Sequence, residues 1–422
     1  MPYSEVIKLP HASHKKPTKP NPFLKRLIKT LSDSSLKKTG FTYEIGDMKS
    51  VSDDTPCLIL MNHSSFIDLE IAAKILYPRP YHIVCTSDGF VGKESLMRGI
   101  GCIPTTKFVT DATLVKDMHY ALTKLKDSVL MYPEASYSFD GTSSKLPHTI
   151  AKCIKLLKVT VVMIKTAGAF SHDPLYNMLK VRNVPVSAKM HCVLTPEEIE
   201  NLSTSEIYSI IKKEFTFDYF KWQQDNKIEI SEVFRADGLN RVLYKCPHCM
   251  SEDSMEGIGS NIVCHNCNAS YELTTLGYLK NNSDTSIFTH VPDWYKWERE
   301  CVRKEIEDGT YNITVNVDIM MMVDYKSIYH VGSGVLTHNL NGFNLIGCDG
   351  ELSFSCKPAQ TYSCYSDYYW YEIGDVICIG DTQTSYYCFP KDSGDIVAKI
   401  RLATEELYNF GRCRKENGAI AK

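Results

Sequence analysis

The sequence predicts an α/β domain with helices packed on a mixed sheet, then a small cysteine-clasped unit, then a β-rich module that ends in a helix. Three observations carry this prediction. Up to about residue 225, short apolar or β-branched runs alternate with segments of helical period. Between 240 and 278, four cysteines fall into two matched Cys-x-x-Cys pairs. Beyond about residue 310, residues alternate at period two between Gly- and Asn-containing turns. A chain of 422 residues has room for roughly two to three domains. The boundaries read as a basic arm with an amphipathic helix over 1–40, the α/β domain over 41–225, the cysteine-clasped unit over 240–278 and the β-rich module over 290–410.

The N-terminal 22 residues are rich in Pro, Lys and His without period and read as a loose arm. From Pro22, the residues Phe23, Leu24, Leu27, Ile28 and Leu31 share one helical face, with Lys25, Arg26 and Lys29 elsewhere. Such a helix either lies in a membrane interface or packs on the domain beside it. Cys57 to Met61 is an apolar run the length of one buried strand, and Ile67 to Leu76 is its helix. Tyr81 to Cys85 reads as a strand, and Arg98 to Lys107, with two glycines and a proline, as a tight turn. Thr110 to Lys126 has helical spacing. Ser128 to Tyr132 is a strand, Ile150 to Leu157 a helix, Val159 to Ile164 a fully buried strand and Lys189 to Leu194 a later one. Thr195-Pro196-Glu197-Glu198 opens a helix with a capping hydroxyl, an early proline and acids at the positive dipole end. Thr204 to Phe215 is the helix after it.

Chemistry concentrates at strand-to-helix edges, and two edges stand out. After the Cys57–Met61 run comes Asn62-His63-Ser64-Ser65-Phe66-Ile67-Asp68. A carboxylate five residues beyond a His fixes its tautomer and raises its basicity, which suits it to take a proton from a hydroxyl. In a chain with 13 His, one such spacing arises by chance about once, so the context must carry the argument. The second edge, Pro133-Glu134-Ala135-Ser136-Tyr137-Ser138, follows the Ser128–Tyr132 run.

The joint order Asn-His-x-x-x-x-Asp, Gly-x-Ile-Pro-x-x-Lys, Pro-Glu-x-x-x-Ser, then a buried β-branched strand, resembles the glycerolipid acyltransferases. Within them it is most similar to the lysophosphatidic acid acyltransferases. The likeness covers about residues 25–220. It implies that His63 is a general base oriented by Asp68. The acceptor, a lysophospholipid such as lysophosphatidate, would attack the thioester of acyl-CoA or acyl-carrier protein. Lys107, Glu134, Ser136 and Ser138 would hold the acceptor's polar end. Three positions depart from the family pattern, and the basic residue and glycine usual after the third motif are also absent around Leu146-Pro147-His148-Thr149. The usual Glu-Gly-x-Arg-Ser is here Glu134-Ala135-Ser136-Tyr137-Ser138, and Lys107 stands where Arg is usual. A phenol does not replace a guanidinium fork on phosphate. Acyl transfer is thus better supported than phosphate recognition. The alternative is a catalytically silent lipid- or protein-binding scaffold on the same fold.

Cys246-x-x-Cys249 and Cys264-x-x-Cys267 have zinc-ribbon spacing. Four thiolates close a tetrahedral shell, so the expected zinc is structural, with His248 and His265 outside it. The acidic insert Ser251 to Glu256 and a net charge of -3 exclude a nucleic-acid-binding polycation. The other cysteines are scattered, which fits reduced thiols and a cytoplasmic protein. No apolar run reaches the roughly 18 residues of a membrane span. A lipid substrate then calls for peripheral attachment, on the inner face of a membrane. Asp293 to Glu307 reads as a helix. Residues 311–400 have hairpin texture and Asp395 to Tyr408 forms a closing helix, an arrangement that is pleckstrin-homology-like in architecture alone.

Overall fold

The computed structural model describes residues 1–49, 51–109, 111–282, 286–391 and 394–420, with side chains to 411. The chain divides into two compact units. One comprises Ser13–Asp173 and Val181–Trp222; the other comprises Met1–Ala12, Pro174–Lys180 and Gln223–Lys422.

The first unit is built on a seven-stranded mixed sheet: β1 (Thr42–Ile45), β2 (Cys57–Met61), β3 (Tyr81–Thr86), β4 (Cys102–Thr105), β5 (Ser128–Met131), β6 (Thr160–Ala167) and β7 (Ser187–Leu194). The spatial order is β1-β7-β6-β2-β5-β3-β4. The run β6-β2-β5-β3-β4 is parallel throughout, and only β7 runs against β6. Every residue of β2 is buried, as a continuous apolar run in the middle of a parallel sheet requires. The core around it gathers Leu58, Leu60, Val129, Val161 and Met163 from the strands and Ile150, Ile154, Ile207 and Ile211 from helices.

The helices keep the boundaries that their caps dictate. Thr195 and Glu198 form a capping box ahead of Pro196–Asn201, and Ser203 and Glu206 form another ahead of Thr204–Phe215. The segment read as a turn at 98–107 is more than a turn. Gly101 makes the bend at φ +94°, where a Cβ would lie 2.8 Å from Pro20. Cys102–Thr105 then runs on as β4, the sheet's edge, where Pro104 removes no shared hydrogen bond. The helix expected from Thr110 is Ala112–Tyr120, ending in a π-turn over Ala121–Leu125; Thr110 itself lies outside the described residues. In the Pro22–Lys38 helix, Leu36 is buried and Leu24 and Ile28 half-buried, while Phe23, Leu27 and Leu31 remain exposed. The predicted apolar face is therefore split. Lys74 of the Ile67–Leu76 helix holds Asp33 at 2.6 Å and so pins the split helix in place.

The second unit holds two further sheets. Strands β8 (Met255–Ile258), β9 (Asn261–Cys264), β10 (Ser270–Leu273) and β11 (Leu279–Asn281) form an antiparallel sheet that carries the cysteine knuckles. Strands β12 (Asn312–Met322), β13 (Tyr329–Asn339), β14 (Gly342–Gly347), β15 (Leu352–Cys356), β16 (Tyr365–Trp370), β17 (Gly374–Gly380) and β18 (Ser385–Pro390) form the third. Its order is β15-β14-β13-β12-β18-β17-β16, all antiparallel, and the helix Ile396–Ile420 follows. The first twelve residues are not a loose arm. Tyr3–Val6 is a helical turn with Val6 fully buried, the Met1 ammonium donates to the His330 carbonyl, and the Ala12 amide donates to Val323. Val6 supplies the apolar anchor that the composition of 1–22 hides.

Candidate active site

Strands β2 and β5 are parallel neighbours in register, Leu60 opposite Met131. The loops that leave their carboxyl ends must therefore meet. The His63 backbone amide donates to Glu134 Oε2 at 3.0 Å, and the Ser138 amide donates to the His63 carbonyl at 3.2 Å. The two motif loops, 71 residues apart in sequence, are one structure.

Within it, His63 Nδ1 lies 3.1 Å from Asp68 Oδ2. The same oxygen accepts the amides of Ser64 at 2.8 Å and Ser65 at 3.1 Å. Asp68 sits in the first turn of the Ile67–Leu76 helix, where the helix dipole favours a carboxylate. It is fully buried. Asp68 thus fixes the imidazole with the Nδ1 proton on its own side. Of the His63 side chain, 19% is exposed, and Nε2 forms no hydrogen bond among the described residues. Burial, first, and then the charge of Lys107 hold His63 below the ordinary imidazole range, against the pull of Asp68. Burial likewise raises the Asp68 carboxyl, against its bonds from His63 and the two serine amides. The result is an imidazole that is neutral at physiological pH, with one nitrogen committed and the other open to a proton.

Two phenols flank this imidazole. The Tyr132 ring stacks on it at 4.2 Å, and the Tyr137 ring tilts against it at 4.2 Å. Tyr137 also meets Phe66 at 5.5 Å. The position at which the family carries a guanidinium therefore presents an aromatic face to His63. Sequence reasoning did not select Tyr132. The signal was its place directly after the β5 run, on the strand that pairs with β2.

The other expected site residues fall into two groups. Lys107 lies in the turn after β4, half-buried, close enough to His63 for its charge to act on it. Glu134, Ser136 and Ser138 are buried. Glu134 Oε1 accepts the Ser144 amide at 2.6 Å, and Ser138 Oγ donates to the Thr142 carbonyl at 2.6 Å while accepting the Gly141 amide at 3.0 Å. These oxygens shape the loop. Asn62 anchors the other side: its Nδ2 donates to Tyr219 Oη at 2.7 Å and Thr166 Oγ1 at 3.0 Å, and its Oδ1 accepts the Thr166 amide at 2.8 Å. The end of β2 is thereby tied to β6.

In the second unit, the sulfurs of Cys246, Cys249, Cys264 and Cys267 all lie within 4.8 Å of one another. Cys246 to Cys267 is 3.6 Å and Cys249 to Cys264 is 3.7 Å. A tetrahedral ion with sulfur bonds of about 2.3 Å needs sulfurs roughly 3.8 Å apart, so the four fit one. His248 bonds Tyr271 Oη and Asn281, and His265 bonds Glu256. Both imidazoles are engaged outside the cluster.

Residues 43–168 match the family model described as Acyltransferase. Among solved structures, the chain is similar to the 1-acyl-sn-glycerophosphate (LPA) acyltransferase PlsC from Thermotoga maritima, at 15% identity over 45% of this chain and 78% of that one, with a TM-score of 0.33. No curated protein sequence matches it. The matched residues, 43–168, contain the β2 and β5 loops and both members of the His63–Asp68 pair, so it is this domain of the chain that is similar to the acyltransferases.

Proposed function

We propose that this chain moves a fatty acyl group from the thioester of acyl-CoA or acyl-carrier protein to the hydroxyl of a lysophospholipid-type acceptor. His63 Nε2 takes the hydroxyl proton as the oxygen attacks the thioester carbonyl. The carbon–sulfur bond then breaks, and the thiolate recovers a proton from the imidazolium. Asp68 holds the ring in register and stabilises its charged form. Neighbouring substrates and an already activated carbonyl supply much of the remaining rate. Lys107 faces the acceptor's anionic end, with Glu134, Ser136 and Ser138 forming the loop beside it. The observation that carries this reading is the 3.1 Å Nδ1–Asp68 bond with Nε2 left open at the carboxyl edge of five parallel strands.

The test is thiol release from acyl-CoA with a panel of lysolipid acceptors, wild type against His63→Ala. Release that needs an acceptor and is lost in the variant supports the assignment. Release with no acceptor of the panel, or unchanged release in the variant, overturns it. One observation favours the second reading, a silent scaffold: Tyr137 covers the imidazole with a ring where the family carries Arg.

Attachment to a membrane surface is part of the same proposal. No helix among the described residues is long and apolar enough to cross a membrane. Phe23, Leu27 and Leu31 stand exposed along one stripe of the Pro22–Lys38 helix, with Phe66 and Leu69 exposed on the Ile67–Leu76 helix. Apolar anchors beside Arg26, Lys37 and Lys38 suit an anionic interface. Phe23→Asp with Leu27→Asp is expected to abolish vesicle binding. The four cysteines would hold a structural zinc, and metal content of the purified protein against Cys246→Ser tests it. The seven antiparallel strands and closing helix of the third sheet support the pleckstrin-homology-like reading of 290–410.

A further inference from the structure

Away from the β2–β5 edge, the first unit carries a second concavity. The segment after Ala12 crosses the helix Ala112–Tyr120 and is fastened on both sides. His14 Nε2 meets the Asp117 carboxylate at 3.0 Å, and Lys15 Nζ meets Glu94 at 2.9 Å while Arg98 donates to the Lys15 carbonyl. Between segment and helix lies a cleft of about 290 Å³, into which Lys16, Lys116, Lys124, His14 and Tyr120 all open. Asp117, the cleft's one carboxylate, is buried and taken by His14. Lys116 and Lys124 have no ion pair among the described residues, and Lys16 has only the Tyr120 ring, 5.5 Å away. Three lysines that converge without counter-charge around an aromatic ring form a site for a polyanion with a planar group.

We propose that this cleft binds the phosphorylated nucleotide end of coenzyme A, with its phosphates on Lys16, Lys116 and Lys124 and its base against Tyr120. The proposal rests on the acyl-transfer reading and selects the free coenzyme over a carrier protein as donor. Two features favour a nucleotide over a lipid headgroup. The site is concave, of the size that takes a small ligand's polar end. It also lacks the apolar anchors that a membrane-facing cationic surface needs: among the described residues of 108–126, no large hydrophobic side chain is exposed. Its position suits a donor with a long flexible arm. From Thr113 to Lys124 the helical segment runs roughly 16 Å. Its start follows closely on Lys107, at the edge where His63 waits. A nucleotide held here leaves the thioester free to reach that edge.

The test measures binding of adenosine 3′,5′-bisphosphate to the full-length protein by calorimetry. Three proteins are compared: wild type, a Lys116→Glu/Lys124→Glu variant, and a Lys212→Glu/Lys213→Glu control with the same charge change on another exposed helix. Wild type and control should bind alike, and the cleft variant at least tenfold more weakly. In turnover, the cleft variant should raise KM for acyl-CoA at least tenfold, and the penalty should vanish with an acylpantetheine donor that lacks the nucleotide. Absent binding to wild type, or equal binding to the cleft variant, overturns the assignment. So does a variant that keeps the bisphosphate but loses vesicles containing phosphatidate, which makes the cleft a lipid contact. His63→Ala should bind the bisphosphate normally, so failure of the catalytic reading and failure of this one are separable.

Discussion

Two of the histidine–aspartate pairs among the described residues have nearly equal geometry and bracket the central strands of the mixed sheet. His63 Nδ1 lies 3.1 Å from Asp68, and His82 Nε2 lies 3.2 Å from Asp127. They occupy opposite edges. The first follows the carboxyl end of β2; in the second, His82 stands at the amino end of β3 and Asp127 just before β5. At the amino edge both imidazole nitrogens are used, since His82 Nδ1 also meets the Gly101 carbonyl at 3.2 Å, and the side chain is 1% exposed. At the carboxyl edge one nitrogen stays open. A histidine and a carboxylate in contact therefore do not make a base. What makes one is the asymmetry of the ring's two nitrogens, and the fold supplies it only where neighbouring parallel strands release their loops toward solvent.

The widest separation between the pairs is expected on deletion. His63→Ala should lower kcat/KM for acyl transfer by roughly 10²–10⁴-fold, the usual weight of a positioned general base, with little change in melting temperature. His82→Ala should do the reverse. It removes both hydrogen bonds of a buried ring and strands Asp127, a loss of roughly 2–4 kcal/mol in stability, while kcat of the folded fraction holds. Denaturant unfolding and single-turnover kinetics on the two variants read this directly. Equal kinetic losses would erase the distinction.

Titration draws the same contrast more finely. Burial lowers the pKa of both imidazoles from the ordinary 6.5. For His63 the reactive form is neutral, so kcat/KM should stay level as pH falls to 6.5 and decline only below it; a solvated imidazole would already be half lost there. For stability the sign is the same. The unfolded chain binds protons that the buried rings refuse, so stability is full above about pH 6.5 and falls as the solution is acidified. His82→Ala should flatten that acid slope without moving the kinetic limb. A kinetic limb that moves with His82→Ala would mean the two pairs titrate together.

Much of this was legible in the sequence because the sheet is built from runs of one character. Cys57–Met61 and Val159–Ile164 carry enough apolar and β-branched residues to declare buried strands, and the loop motifs lie directly after Met61 and Tyr132. Local spacing also sufficed for the four cysteines, because two short turns supply all the ligands. What local reading missed depends on lateral pairing. Tyr132 and Tyr137 reach His63 only because β5 lies beside β2, and nothing in either run states that neighbour. Cys102–Thr105 reads as part of a turn because Pro104 disguises an edge strand. Glu134, an attractive acid by composition, turns out to bind backbone amides of His63 and Ser144, a role visible only once both loops are placed.

The smallest expected effect compares the loops themselves. Each pair is flanked by a non-glycine residue in the left-handed region: Ala135 at φ +56° in the loop over His63, and Lys126 at φ +59° just before Asp127. An L-residue there costs roughly 1–2 kcal/mol, and a glycine gives back about 0.5–1 kcal/mol through its freer unfolded chain. Ala135→Gly and Lys126→Gly should therefore each stabilise the protein by about 0.5–1 kcal/mol. Their kinetic effects should differ. Lys126→Gly relaxes a turn at the amino edge, across the sheet from His63, and should leave kcat unchanged. Ala135→Gly loosens the turn that sets Tyr137 against His63, so kcat should shift by a few-fold at most, with KM for the acceptor moving alongside it. If both variants gained stability and neither changed turnover, the loop's strain would be incidental, and the placement of Tyr137 would rest on ring packing alone.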